Sequence, residues 1–397
     1  MPLRNLSILF LCQLISATGS IVIVTLGGII GATLTERPAL ATLPISLMVV
    51  SVAATTVPAS LLMRRIGRRK AFMLSSLSAA GALGVAATAL ATGSFVLFMI
   101  AAAAFGINMA FTQQYRYAAA ESVPPQYTAR AISMVLVGAI GGAVAGPELV
   151  TRGQLWLPAI PYGGSLLAAG LLYLVQALLF LLLGPLRGER AGAVETLPRP
   201  IGEITRQPVF VVAVFGGTIA YGVMTLIMTA TPLSMHIKDG FSIEATSAII
   251  RSHVLGMYLP SLMSGFLMDR LGTVRMMALG ALGLMAASIV ALQGHDYLHY
   301  WYALVLLGVG WNLLYVGGTT LLTVTYTMNE RFKAQAVNEF AIFGTSASGS
   351  LLAGTVLHFY GWTTLVILPL LPLALVLAGL YGVRRNELLG KLSRHRS

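Results

Sequence analysis

Cysteine and charge are both scarce in this sequence. The only cysteine is Cys12, which excludes a disulfide framework and every metal motif built from pairs of cysteines. Charged residues make up 10% of the chain, less than half of their usual share. An ordinary soluble protein is therefore excluded.

Two signatures of enzyme chemistry are also missing. No segment has the phosphate-binding pattern G-x-x-x-x-G-K-S/T, so transport driven by ATP is not expected. Histidine, serine and aspartate occur without a spacing that suggests a catalytic triad. The sequence predicts that the protein is not an enzyme and that it holds no tight cofactor.

What the chain does contain is long apolar segments. Hydrophobic residues make up 57% of it, and the mean hydropathy is +0.83. Runs of about 20 apolar residues, enough to cross about 30 Å of hydrocarbon, recur from end to end without the alternation typical of strands. We predict an all-α membrane protein with twelve spans, near residues 6–32, 38–63, 70–93, 95–115, 130–150, 160–184, 208–233, 246–269, 274–293, 298–326, 334–357 and 361–383.

The distribution of basic residues predicts the orientation of these spans. Of the 25 lysines and arginines, 21 fall in loops on the side of the two termini, and the other four are Arg37, Arg152, Lys238 and Arg251. Cytoplasmic loops are the ones enriched in lysine and arginine. We therefore expect a bacterial inner-membrane protein with both termini cytoplasmic, and the net charge of +12 indicates contact with the bilayer and not with nucleic acid.

The polar segment 185–207 divides the chain into an amino-terminal bundle, 1–184, and a carboxyl-terminal bundle, 208–397. A similar turn of glycine and arginine follows the second span of each half, at 62–70 and at 265–275. Glycine makes such a turn tight, and the arginines mark the membrane surface. We regard this repeat as a conformational gate, formed by Gly67, Arg68, Gly265, Asp269, Arg270 and Gly272.

Soft metal ligands occur in two spans of the second half. Met224 and Met228 in the seventh span are four residues apart, as are His253 and Met257 in the eighth, so each pair lies on one helix face. Cu(I) prefers thioether and imidazole to oxygen. Packing is the simpler explanation for Met224 and Met228 taken alone, but an ionisable His253 inside a span favours a functional site.

These features resemble two known groups. The segment 265–275 resembles the G-x-L-x-D-R-x-G-R-K/R pattern of the major facilitator superfamily, whereas the first copy has Arg64 in place of the acid. The resemblance implies twelve transmembrane helices in two six-helix bundles. The glycine-rich run 138–147 also resembles a motif of drug/proton antiporters, so a proton-coupled exporter is an alternative, with helix packing as the simple explanation.

The two spaced pairs in spans seven and eight resemble the signature of the CcoA-like, or CalT, copper importers of that superfamily. The resemblance implies that Met224, Met228, His253 and Met257 bind copper as a transported substrate. It also implies import for the assembly of haem–copper oxidases, with copper-handling proteins as partners. A copper-sensing or oxidase-assembly protein is the alternative from another class.

Several other polar residues are candidates for accessory roles. Met235 and His236, at the outer end of span seven, are compatible with a metal entry site or a solvated turn. Glu148 and Glu339 are the carboxylates nearest to the membrane interior and candidates for proton coupling. The outer loop with His295, Asp296 and His299 is compatible with a Cu(II) or Zn(II) site or with an ordinary polar loop.

The charge asymmetry yields a test of the topology. We expect a reporter fused within residues 188–200 to lie in the cytoplasm, and one fused within 237–241 to lie in the periplasm. Paired alkaline phosphatase and fluorescent protein fusions measure this. A periplasmic signal from the first fusion, or a cytoplasmic one from the second, would refute the twelve-span assignment.

Overall fold

The computed structural model describes residues 2–37, 40, 43–186 and 199–394. Secondary structure in these ranges is helical, without a strand. The chain divides into two compact units, Met1–Val194 and Glu195–Ser397. The predicted all-α fold is confirmed, and the boundary between the units falls within the polar segment 185–207.

The amino-terminal unit consists of seven described α-helices. They are α1 (Pro2–Leu34), α2 (Leu43–Ile66), α3 (Arg68–Thr92), α4 (Phe95–Thr112), α5 (Tyr115–Ser122), α6 (Thr128–Gly153) and α7 (Gly163–Leu181). Their apolar faces form a core of aliphatic and aromatic side chains from α1, α3, α4 and α7, including Leu83, Phe105 and Tyr173. The fourth predicted span is interrupted between α4 and α5, where Gln113 and Gln114 separate the two helices.

The glycine-rich run of the fifth span packs against α1. A Cβ on Gly138 would lie 2.5 Å from the Phe10 carbonyl oxygen, and one on Gly146 would lie 2.6 Å from the Ile21 side chain. Gly142 meets Ala17 in the same way. These glycines recur every fourth residue and let the two backbones approach closely. Close helix packing accounts for this run without a role in drug export.

The carboxyl-terminal unit begins with a short helix and continues with seven longer ones. They are α8 (Ile201–Thr205), α9 (Pro208–Pro232), α10 (Ile243–Tyr258), α11 (Ser261–Leu271), α12 (Thr273–Leu292), α13 (Tyr297–Leu322), α14 (Arg331–Ile367) and α15 (Leu370–Arg394). A π-helical turn, Leu233–Lys238, follows α9. Gly361, with φ of 78°, kinks α14 at the place where the sequence predicts a new span.

Ten helical stretches of the described chain are long and apolar enough to cross a membrane. One of them, Arg331–Arg385, contains the last two predicted spans in 55 residues. The eighth predicted span accounts for the remaining difference, because it is split into α10 and α11 and each part is too short. We expected one continuous helix there, and the physical reason for the break is Pro260, which has no N–H for the helical ladder.

The repeated glycine turns have almost the same backbone conformation in both units. Gly67 has φ 81° and ψ 158°, and Gly272 has φ 85° and ψ 151°, a region open to glycine alone. Arg68 differs from the expected surface arginine, because its side chain is completely buried. Its guanidinium donates two hydrogen bonds to the Glu121 carboxylate, at 2.7 and 2.9 Å. Position 64 of this turn carries an arginine in place of the acid, and Glu121 of α5 provides the carboxylate that pairs with Arg68.

We call the end of the carboxyl-terminal unit that carries residues 199–207 and 323–330 the linker end, and the opposite end, with residues 233–242 and 293–296, the distal end. At the linker end, Arg199 donates to the two carboxylate oxygens of Glu330, each at 2.7 Å. The backbone N–H groups of Arg199 and Thr327 add bonds of 2.9 and 2.8 Å. These donors, Arg199 first, lower the pKa of Glu330 to about 2.

Replacing Glu330 with glutamine tests this ion pair. We expect the Tm of the purified protein at pH 7 to fall by about 5 °C, because a nearly buried carboxylate loses its charged partner. Since its folded pKa is depressed, the contribution of Glu330 is complete above its ordinary pKa of 4.5 and declines as the pH falls toward 2. The Tm difference between the two proteins should therefore shrink below pH 4.5.

The matched control is Glu148→Gln, which breaks the exposed i,i+4 pair of Glu148 and Arg152 (2.8 Å). Exposed pairs contribute little to stability, so its Tm should stay near that of the wild type. An equal loss in both variants, or a Glu330 effect that is unchanged at pH 3, would contradict the assignment.

Candidate functional site

Helix α13 is the element against which the predicted metal-binding spans pack. It contacts α9, α10 and α12, and its glycines permit these contacts. A Cβ on Gly308 would lie 2.5 Å from the His253 carbonyl oxygen of α10, and one on Gly318 would lie 3.0 Å from the Ala213 carbonyl oxygen of α9. The two spans that carry the spaced pairs therefore share one scaffold helix.

His253 is completely buried within α10. Its Nδ1 lies 2.8 Å from the Leu304 carbonyl oxygen, and a carbonyl only accepts, so Nδ1 carries the proton. The neutral ring then has its lone pair on Nε2. Nε2 is buried and has no hydrogen-bond partner among the described residues. The imidazole thus has the tautomer that a metal ligand needs, with its free nitrogen in a site shielded from solvent.

Met257 lies one turn after His253, and its side chain is almost completely buried. The helix breaks just beyond it, between Tyr258 and Ser261. The Asn312 amide of α13 joins the two sides of the break, because it donates to the Met257 carbonyl (2.7 Å) and to the Ser261 hydroxyl (2.6 Å). A non-helical backbone in a membrane is stable when its polar groups are satisfied in this way.

Met224 is buried on α9, and Met228 is partly buried one turn further on. Tyr221, three residues before Met224, places its ring 5.2 Å from that of Trp311 on α13. Because α9 runs antiparallel to α13, the two methionines continue from Trp311 toward Leu304, about 1.5 Å per residue.

The partners of α10 place its motif beside the same part of α13. His253 bonds to the Leu304 carbonyl, and the Met257 carbonyl bonds to Asn312. Both spaced pairs therefore lie beside residues 304–312. Direct packing between α9 and α10 is slight in the described chain. The two pairs lie at the same height along α13 because each helix packs against α13. The role of the four residues in metal binding stays a prediction.

An aromatic cluster adjoins this region and was not anticipated from the sequence. The Trp311 ring stacks on Tyr315 with centroids 4.8 Å apart and meets the edges of Tyr221 and Tyr258, while Phe343 contacts Tyr221. The sequence features that could have indicated it are Trp311 and Tyr315, four residues apart, and the tyrosines within one helical turn of Met224 and Met257.

Three buried polar atoms lie on a residue of this cluster or within one helical turn of it. The Trp311 indole N–H, the Asn312 Oδ1 and the Thr218 hydroxyl have no hydrogen-bond partner among the described residues. Buried polar atoms in folded proteins are almost always paired, so such atoms point to a ligand or to water. The cluster therefore offers flat apolar surface together with unused polar groups.

The accessory candidates differ in their burial. Met235 is completely buried in the π-helical turn, and the side chain of His236 lies outside the part of the chain that the structure describes. Glu148 is exposed and pairs with Arg152, Val144 on the same helix is also exposed, and the role of Glu148 in proton coupling stays a prediction. Glu339 is completely buried in α14 and accepts a 2.9 Å hydrogen bond from Asn338.

The gate residues of the second copy follow the break in the eighth span. Gly265 is buried in α11, while Asp269 and Arg270 are exposed at its end, just before Gly272. In the first copy Gly67 precedes the buried Arg68. The two turns match in backbone conformation. Arg68, which follows Gly67, is buried, whereas Arg270, two residues before Gly272, is exposed.

Comparison with known proteins identifies the family. The model of the Major Facilitator Superfamily matches residues 9–251 and 213–396. The riboflavin transporter RfnT of Brucella anthropi is 38% identical over 376 residues, which is 94% of this chain and 94% of the relative. The uncharacterized MFS-type transporter YdeG of Bacillus subtilis is 30% identical and covers 89% of this chain and 85% of its own.

Solved structures share the fold at low sequence identity. The fucose transporter FucP in the outward conformation has a TM-score of 0.76 at 14% identity, with 96% of this chain and 97% of that chain covered. A bacterial homologue of the iron transporter ferroportin has a TM-score of 0.73 at 14% identity, with 95% and 98% covered. By its family model, its relatives and its fold, this chain belongs to the major facilitator superfamily and is a secondary transporter, not an enzyme.

Proposed function

We propose that this transporter imports copper across a bacterial inner membrane, with both termini in the cytoplasm, to supply haem–copper oxidase assembly. The observation that carries the proposal is His253, an imidazole with a buried, unpartnered Nε2 inside the eighth span. Leaving a buried polar atom unsatisfied costs about 1–3 kcal/mol. A soft metal ion that binds Nε2 removes that cost.

The neighbouring sulfurs favour Cu(I) as that ion. The described residues contain no group of three or more histidine, cysteine or acidic side chains with metal-binding geometry, so a metal site at His253 needs thioether ligands. Met257 is one turn away on the same helix, and Met224 and Met228 reach the same level of α13. Thioether and imidazole together are ligands that Cu(I) prefers, and the resemblance to CcoA-like importers rests on these same residues.

The superfamily fold supplies a mechanism for import. Transporters built from paired repeats expose a site near the midplane alternately to the two sides of the membrane. Methionine and histidine bind Cu(I) without a thiolate, so the ion leaves by exchange of ligands when the site opens inward. Met235 and His236 stand at the predicted entry, and the buried Glu339 is a better candidate for proton coupling than the exposed Glu148.

Substitution of His253 tests copper import. We expect His253→Leu to lower copper uptake by more than about tenfold, because it removes a metal bond, and His253→Met to retain part of the uptake, because a thioether replaces the imidazole. Met257→Leu, which preserves volume, should behave like His253→Leu. Copper content of intact cells by mass spectrometry and protein level by immunoblot are the measurements.

Met276→Leu is the matched control, since this methionine is completely buried in α12 outside the spaced pairs. Uptake by this variant should equal that of the wild type. Wild-type uptake in His253→Leu and Met257→Leu at normal protein levels would exclude these residues from a copper site and the proposal with them.

A second candidate function is transport of a flat heteroaromatic molecule such as riboflavin. Two observations favour it, the name of the relative that is 38% identical and the aromatic cluster around Trp311 with its unpartnered polar atoms. Stacking on one aromatic side chain contributes about 1–3 kcal/mol per base in nucleic-acid complexes. A flavin ring offers a similar flat surface with polar edges.

Growth and uptake in cells that cannot synthesise riboflavin distinguish this candidate from copper import. If the cluster binds a flavin, Trp311→Leu should lower riboflavin uptake by about tenfold, whereas Trp301→Leu, on the same helix but outside the cluster, should not. If the chain carries copper alone, wild-type protein gives no riboflavin uptake above that of cells without it.

A further inference from the structure

A hydrogen-bonded cluster lies at the distal end of the carboxyl-terminal unit. We call Ser234, Asp239, His295, Tyr300 and Trp362 the His295 cluster. It joins the turn after α9, the loop before α13 and the kink in α14. The Tyr300 hydroxyl donates to Asp239 Oδ2 at 2.6 Å, and His295 Nδ1 lies 3.0 Å from the same oxygen and 3.0 Å from the hydroxyl.

The directions of these bonds determine the tautomer of His295. An ionised carboxylate only accepts hydrogen bonds, and Tyr300 uses its one proton on Asp239. Nδ1 of His295 is therefore the donor toward Asp239 and Tyr300. In the neutral ring the lone pair is then on Nε2. No described residue hydrogen-bonds Nε2, and the side chain is 49% exposed.

This arrangement is that of a metal-ligating histidine. Such histidines usually donate their second ring nitrogen to a carboxylate, which fixes the ring and raises the basicity of the ligating nitrogen. Asp239 occupies that position here. The rings of Tyr300 and Trp362, with centroids 6.0 and 6.3 Å from that of His295, pack beside the imidazole.

A second imidazole lies close by in the chain and in space. The His299 ring rests against Gly294, the residue before His295, where an added Cβ would meet Cε1 at 2.7 Å. The Asp296 carboxylate is 3.7 Å from His299 Nδ1. Lys238 directly precedes Asp239 in the chain, and its ammonium donates to the Leu357 carbonyl at 3.2 Å. The local charge therefore favours a cation, since two carboxylates and two imidazoles stand against one ammonium that is already hydrogen-bonded.

We propose that His295 and His299 form a docking site for a divalent transition metal ion, Cu(II) or Zn(II), with Asp239 as the residue that positions His295. Imidazole suits both ions. The described residues give no group of three histidine, cysteine or acidic ligands, so water completes the coordination and binding is reversible. The site is separate from Met224, Met228, His253 and Met257 and does not depend on what the chain transports.

The test is Cu(II) binding to purified full-length protein that carries no polyhistidine tag. Electron paramagnetic resonance reports nitrogen ligands of Cu(II), and quenching of tryptophan fluorescence follows the titration because Trp362 lies beside His295. Zn(II) should compete for the same site. We expect nitrogen-coupled Cu(II) in the wild type, and a loss of affinity of more than about tenfold in His295→Ala and in His299→Ala.

Further variants separate metal binding from folding. Asp239→Asn should weaken Cu(II) binding by about 10- to 100-fold, as loss of an orienting carboxylate does in other metal sites, and His295→Gln should reduce the nitrogen coupling to that of one imidazole while it keeps a polar side chain. His358→Ala, which replaces an exposed histidine of α14 outside the His295 cluster, should bind Cu(II) as the wild type does.

Two results would overturn the proposal. One is unchanged Cu(II) affinity in either His295→Ala or His299→Ala. The other is a wild-type signal without nitrogen coupling. Because copper uptake by intact cells tests the import site and Cu(II) binding by the His295 and His299 variants tests this one, failure of copper import and failure of the docking site are distinguishable.

Discussion

Hydrocarbon offers no water to a carbonyl, an amide or an imidazole, and the carboxyl-terminal unit is arranged around this constraint. Helix α13 supplies hydrogen-bond partners to both parts of the eighth span. The Leu304 carbonyl takes the proton of His253, and the Asn312 amide joins Met257 to Ser261 across the break at Pro260. These bonds are possible because Gly308 lets the backbones come close. Among the described residues, the His253 Nε2, the Trp311 N–H and the Asn312 Oδ1 have no hydrogen-bond partner, and these atoms are therefore informative.

The unsatisfied atoms also define how the two candidate substrates differ. A metal ion needs a lone pair and nearby sulfur ligands, which is the role proposed for His253 and the methionines. A flavin needs a flat surface and scattered polar partners, which Trp311, Tyr315 and Asn312 offer. Both sets lie along residues 304–315 of one helix, so related transporters can differ in substrate through a few side chains while the scaffold stays the same.

Local patterns made much of this predictable from the sequence. Apolar runs predicted the helices, and spacing of four residues predicted that Met224 and Met228 share a face, as do His253 and Met257. Contacts between distant residues were not predictable, because nothing in the chain near Arg68 points to Glu121, and nothing near His295 points to Asp239. The break in the eighth span was a missed local signal, since Pro260 was visible in the sequence but lay within an apolar run.

The pairing of Arg68 with Glu121 has a consequence for biogenesis. Arginines in a loop help to orient the flanking helices while the chain is being inserted, and they act then as free charges. Glu121 is 53 residues further along the chain, so at about 5–20 residues per second it is synthesised about 3–10 s after Arg68. Arg68 thus serves first as a solvated topogenic signal and is desolvated only when α5 arrives. Replacing Glu121 would leave insertion intact but remove the carboxylate that pairs with the buried Arg68. The defect would therefore be in the assembly and turnover of helices that are already inserted.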